Sequence, residues 1–180
     1  MTDASVPDIL GPDLAVVFIG INPGAAAATA GHNFVGHSNR FWRTLHLAGF
    51  TPTLIPAQED HRLLAYGCGL TAAVARATRR AQDLRPDELR SAGEPLRAKL
   101  VQYRPRTIAF LGKAAYAAIA QRREIAWGPQ ADPFAGAAVW VIPNPSGLNR
   151  AFSQAQLVEA YSALWRAVEP DLPRPRSATA

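Results

Sequence analysis

Apolar positions along the chain gather into short runs that end in turn-forming residues. The first spans roughly residues 14–20 and contains Val16-Val17-Phe18-Ile19 before Gly20-Ile21-Asn22-Pro23-Gly24. A second runs from Arg106 through Ile108-Ala109-Phe110-Leu111 to Gly112, and a third is Val139-Trp140-Val141-Ile142 ahead of Pro143-Asn144-Pro145. Runs of this length, rich in β-branched and aromatic residues and bounded by glycine or proline, predict strands buried on both faces. Such strands belong to parallel sheets covered by helices. Gly69-Leu70-Thr71 is a weaker strand candidate.

Helical spacing occupies the intervals. Phe41, Trp42, Leu45 and either Ala48 or Gly49 share one face of a helix predicted over 39–48, with Ser38 as its cap. Residues 59–66 predict a short helix ending at Gly67. Pro86 followed by Asp87 and Glu88 marks a helix start, because Pro suits the first turn and acids suit its positive end. Leu89, Leu96, Leu100 and Val101 give that helix an apolar face, interrupted at Gly93 and Pro95. Residues 114–121 predict another helix. The last is expected over 153–168, capped by Ser153, with Leu157, Val158, Tyr161, Leu164 and Trp165 inward. Residues 122–137 read as a connection with a short edge strand near Trp127. The alternation implies an α/β fold, a three-layer α/β/α sandwich with a central, largely parallel sheet. One domain over 13–168 is expected, after a loose lead-in over 1–12 and before a disordered tail over 169–180.

The turns that end the first and last strands carry the chemistry. Ligands in open α/β sheets sit outside the carboxyl ends of the strands. Asn22 leaves its strand there, and Pro23 biases it toward extended geometry. Asn144 leaves another strand in the same way. The glycine-rich stretch 31–38 reads as a functional loop.

Composition narrows the classes. The chain has 180 residues, 48% hydrophobic and 18% charged, with a formal net charge of +5. Its basic side is almost all arginine, since Lys99 and Lys113 are the only lysines. Guanidinium forks suit phosphates and base edges, so an anionic partner is expected. Lys113 reads as structural or phosphate-facing rather than nucleophilic. Cys68 is the single cysteine, which excludes internal disulfides and multi-cysteine metal sites and makes it a small buried hydrophobe. His32 and His37 lie on one loop without acidic or cysteine ligands around them in sequence, so neither metal nor cofactor is expected. No run approaches a membrane span and no leader precedes the first strand, so a cytoplasmic location is expected. Dinucleotide and P-loop motifs are missing, and Ser146 is not in a nucleophile elbow.

Gly20-Ile21-Asn22-Pro23-Gly24, Asn39-Arg40-Phe41-Trp42, Leu111-Gly112-Lys113 and Asn144-Pro145-Ser146-Gly147-Leu148-Asn149-Arg150, in this order, resemble the mismatch-specific uracil-DNA glycosylases, bacterial relatives of thymine-DNA glycosylase. The resemblance covers about residues 7–168. It implies a monomeric DNA-repair hydrolase that flips uracil out of G mismatches in double-stranded DNA and cleaves the N-glycosidic bond. It implies that Asn22 positions the attacking water and that Ile21 and Phe34 wall the base pocket, Phe34 stacking on uracil. It places Asn144 on the pocket side of its loop. It makes Gly147, Leu148, Asn149 and Arg150 the segment that enters the duplex and contacts the widowed guanine. Ala25-Ala26-Ala27-Ala28 stands where well-known relatives carry hydroxyls, and Asn149 where some carry serine. Both departures leave discrimination among uracil, thymine and etheno-adducts open. An amide is a poor base, so Asp83, from the arginine-rich 76–88 segment, is a candidate assisting carboxylate. The competing readings are a non-catalytic mismatch-binding module and a small-molecule enzyme for a nucleoside monophosphate.

Overall fold

The computed structural model describes residues 6–173. Its sheet contains β1 (Val16–Gly20), β2 (Cys68–Ala72), β3 (Thr107–Leu111), β4 (Gly128–Pro129) and β5 (Ala138–Ile142) in the order β2-β1-β3-β5-β4. β1 is parallel to β2 and β3, and β3 to β5; only the two-residue edge strand β4 is antiparallel. The helices are α1 (Ala25–Ala30), α2 (Phe41–Leu47), α3 (Pro86–Ser91), α4 (Gly93–Tyr103), α5 (Lys113–Ala120) and α6 (Gln154–Val168).

Strand alternation divides the core in two. Val16 and Phe18 face α2 and α6, packing with Phe41, Leu45, Leu157, Tyr161 and Leu164. Val17 and Ile19 face the other layer, packing with Leu96, Leu100, Ala115 and Tyr116. Successive residues of a strand point to opposite faces, so one apolar run serves both layers. This is the expected α/β/α sandwich. The strand order reverses between β1 and β3, which is where open α/β sheets bind ligands.

Several local expectations change. α2 begins at Phe41 with Arg40, not Ser38, at its N-cap position; Asn39 Oδ1 accepts from the Phe41 amide at 2.9 Å. The 59–66 helix is a 3₁₀ segment over Ala57–Tyr66 with a break at Glu59. The helix predicted from Pro86 is two, α3 and α4, meeting at Ala92, and Val101 faces outward at 57% exposure. The glycine at 93 is where that apolar face is interrupted. Gly69-Leu70-Thr71 lies within a full member of the sheet. Ser153 does cap α6, accepting from the Gln156 amide while Gln156 Oε1 accepts from the Ser153 amide.

The described part of the lead-in is packed rather than loose. Ile9 is buried and bridges to Leu70 with both backbone hydrogen bonds at 2.8 Å, and Asp8 accepts from Thr71 Oγ1 at 2.6 Å. At the other end a short 3₁₀ turn (Glu169–Asp171) follows α6, and Leu172 packs on the core. The rest of the expected tail lies outside the described residues.

Candidate active site

The carboxyl ends of the parallel strands enclose a cavity of about 180 Å³. Ile21, Asn22, Phe34, Asn144 and Leu148 all line it, with Thr78 on the side of the arginine-rich segment. Five expected site residues from three distant stretches therefore meet in one place. A larger groove, about 650 Å³, lies between α3 and α5 on the other side of Ile21. Its walls are mostly alkyl, including Leu84, Leu89, Ala114 and Ala117, and it contains neither Asn22 nor Asn144. The two side-chain amides singled out in the sequence lie in the smaller cavity.

Asn22 is held by the 76–78 segment. Its Nδ2 donates to the Arg76 carbonyl at 2.9 Å and to Thr78 Oγ1 at 2.8 Å. A backbone carbonyl can only accept, so this contact fixes which end of the amide is nitrogen. The Thr78 hydroxyl in turn donates to the Arg80 carbonyl at 2.7 Å. That segment is tied to the Asn22 loop by the Ala25 and Thr78 amides, donating to Thr78 and Pro23 carbonyls. Asn22 Oδ1 has no hydrogen-bond partner among the described residues, leaving an acceptor of fixed direction. Thr78 is a site residue that sequence reasoning missed; no motif marks it.

Phe34 occupies the left-handed region with φ of 53°, a conformation that costs a side-chain-bearing residue free energy and persists only when its surroundings impose it. Its ring stacks on Phe41, centroids 4.1 Å apart at 23°. Asp60, 6% exposed, anchors the preceding residue: its Oδ2 accepts from the Asn33 amide at 2.8 Å and from Asn33 Nδ2 at 3.2 Å. Trp42 Nε1 donates to the Asn33 carbonyl at 3.2 Å. A buried carboxylate must be hydrogen-bonded, and here that requirement sets the Phe34 loop. Asp60 was read only as a helix residue.

The 143–152 loop is fixed from beneath. The Tyr161 hydroxyl donates to the Pro143 carbonyl at 3.2 Å, and burial pushes that phenol well above the ordinary tyrosine range. Asn144 Oδ1 accepts from the Ser146 amide at 2.9 Å, which leaves its Nδ2 as a donor at the cavity wall. Asn149 is used internally, Nδ2 donating to the Asn144 carbonyl at 2.9 Å and Oδ1 accepting from the Ala151 amide at 3.2 Å. Leu148 projects into solvent at 74% exposure, and Arg150 is exposed outside the cavity lining. Beneath the loop, Arg40 Nη1 donates to the Phe152 carbonyl at 2.7 Å, and Nη2 to the Ser146 and Asn149 carbonyls at 3.0 and 2.8 Å.

Asp83 is not brought to the cavity. Its Oδ2 accepts from the Arg80 amide at 3.0 Å and its Oδ1 from Arg80 Nη2 at 3.3 Å, so it caps its own 3₁₀ turn. Glu88 instead braces the Asn22 support: it takes hydrogen bonds from Arg76 at 2.7 and 2.8 Å and from the Arg85 amide at 2.8 Å. The Arg76 guanidinium, then the Arg85 amide, hold the Glu88 carboxyl down at about 2. Lys113 Nζ lies over the Trp127 ring, 4.5 Å from its centroid, and Lys99 Nζ pairs with Asp8 at 2.6 Å. Burial pushes the Cys68 thiol up to about 12, in keeping with an inert core residue.

The family model of the uracil DNA glycosylase superfamily matches residues 7–168. The chain belongs to that superfamily. A solution NMR structure from Methanosarcina acetivorans, of a protein provisionally named a uracil DNA glycosylase, has the same fold at 19% identity with a TM-score of 0.65, covering 94% of this chain and 99% of that one.

Proposed function

We propose that the protein is a monofunctional, mismatch-directed uracil-DNA glycosylase. Superfamily membership makes the coarse assignment, a DNA-repair glycosylase acting on DNA. The finer reading rests chiefly on one observation: the Asn22 amide is locked by the Arg76 carbonyl and Thr78 hydroxyl, with its oxygen left as a fixed acceptor in the cavity. A water donating to that oxygen would be held for attack on the sugar of a nucleotide whose base stacks against Phe34.

Cleavage of an N-glycosidic bond develops oxocarbenium-like charge on the sugar. Uracil can leave as an anion, so a strong acid is not needed. The free Asn144 Nδ2 is a donor available to an oxygen of the departing base, the kind of preorganised contact that stabilises developing charge. Among the described residues no carboxylate lines the cavity with Asn22, and an amide does not deprotonate water well, so hydrolysis is slow. Neither lysine lines the cavity, which favours hydrolysis over a Schiff-base lyase step. Among the described residues no helix is long and apolar enough to cross a membrane.

The exposed Leu148 fits the role of a wedge, an apolar side chain that unstacks the duplex and fills the space of the extruded base. A mismatched pair opens at lower cost, which favours U·G over U·A. Asn149 supports the loop internally, leaving Arg150 as the polar side chain for the guanine or its strand. Single-turnover assays on U·G, U·A, T·G, ethenocytosine·G and single-stranded uracil test the reading. Base release fastest on U·G supports it. Binding without base release would make the protein a mismatch-binding module, and release from free nucleosides alone a small-molecule enzyme.

A further inference from the structure

The wedge loop stands away from the core, yet it is not free. Three carbonyls from Ser146, Asn149 and Phe152 converge on one guanidinium, that of Arg40. The Arg40 amide adds a fourth link, donating to the Pro145 carbonyl at 3.1 Å. Arg40 lies just before α2, and its carbonyl accepts from the Thr44 amide and hydroxyl at 2.9 and 2.7 Å, so its base is rigid. Arg40 Nε is buried with no acceptor among the described residues. A guanidinium placed for its own solvation would not leave that N–H unpaired. Its position follows the carbonyls of the loop instead.

We infer that Arg40 is the positioning residue that presents Leu148 to duplex DNA. The inference rests on the wedge reading of Leu148. An apolar side chain in water gains by folding back onto the protein surface. The loop must hold Leu148 outward before DNA arrives, because ordering it on binding would add an entropic cost to every encounter. The Arg40 fork spreads its donors over two nitrogens and so reaches carbonyls at 146, 149 and 152 together; an ammonium concentrates its three donors on one atom and cannot reproduce that span. Arg40 does not line the cavity, and Asn22 and the Phe34 loop are held by other segments, so removing its fork acts first on the loop that carries Leu148. Its effect should therefore be largest where a base must be displaced from a duplex.

The test is a double-mutant cycle of Arg40→Lys and Leu148→Ala, read by single-turnover excision on a U·G duplex and on single-stranded uracil, with folding checked by thermal melting. Arg40→Met, which removes all the donors, is the more severe companion; if it fails to fold, Arg40→Lys carries the result. The expected outcome for either single variant is a loss on the duplex about 10-fold or more greater than its loss on the single strand. Arg40→Lys should then add little in the Leu148→Ala background, since both act through one element. Equal losses on both substrates, or fully additive losses on the duplex, overturn the assignment of Arg40 while leaving the wedge intact. Leu148→Ala with no difference between the substrates overturns the wedge itself and Arg40 with it.

Discussion

Gly147 lies against Ser38 so closely that a Cβ on Gly147 would sit 2.5 Å from the Ser38 carbonyl oxygen. The loop that carries Leu148 and the loop that carries Phe34 are thus in backbone contact at the mouth of the cavity. Real Cβ atoms do not approach backbone that closely, so even alanine at 147 forces the loops apart. Gly147→Ala should destabilise the protein by about 1–3 kcal/mol, the usual scale of overpacking, and should lower duplex excision further than its melting temperature alone accounts for. A variant with parental melting and parental excision would show that the two loops separate freely.

Asp83 offers a negative result of equal use. Its carboxylate is spent on the Arg80 amide and guanidinium. Asp83→Ala should excise uracil at the parental rate across pH 5–9. Its structural cost should be that of a lost cap, about 0.5–2 kcal/mol at most. A loss of excision with a changed pH profile would return Asp83 to the reaction.

Glu88 predicts an acid-side effect with a definite sign. Arg76 and the Arg85 amide lower its folded pKa from 4.5 to about 2. A depressed carboxyl contributes stability that is fully present above the unfolded value and is lost as pH falls through the folded one. The contribution should therefore disappear between about pH 4.5 and about pH 2. The loss matters to the site because the Arg76 backbone carbonyl holds Asn22. Glu88→Gln should flatten this part of the stability curve, measured by denaturant unfolding from pH 2 to 5. Parallel curves for parent and variant would show the ion pair to be without effect on folding.

How much of this was legible in the sequence depended on the range of the interactions involved. The strands leading to Asn22 and Asn144 are readable because unbroken apolar runs, β-branching and turn residues are local signals. The pairing of Phe34 with that mouth came from motif resemblance. The supports were not readable. Arg40 reaches carbonyls at 146, 149 and 152, and Asn22 reaches residues 76 and 78. Backbone carbonyls carry no side-chain signature, so nothing in a motif marks an arginine that binds them. Ser38 is a plausible cap by type, but the helix starts at Phe41 with Arg40 at its N-cap position, and the Phe41 amide is met by Asn39 Oδ1. Ile9 falls in the expected loose lead-in because one buried residue makes no periodic pattern, yet it adds a bridge to β2. The sequence assigns Glu88 to a helix start and leaves Asp83 as the candidate carboxylate; the geometry instead gives Asp83 to the Arg80 turn and Glu88 to Arg76.

The most direct test is single-turnover uracil excision by Asn22→Ala on a U·G duplex, paired with the affinity of the same variant for that duplex. In the proposed mechanism Asn22 contributes one oriented acceptor to the chemistry, whereas affinity for the duplex would come from the loop that carries Leu148 and from the arginine side chains. Excision should fall by about 10²-fold or more, the scale of losing one positioned polar group in a transition state, while duplex affinity changes little. A folded Asn22→Ala protein that excises at close to the parental rate would remove Asn22 from the water-positioning role and the proposed mechanism with it.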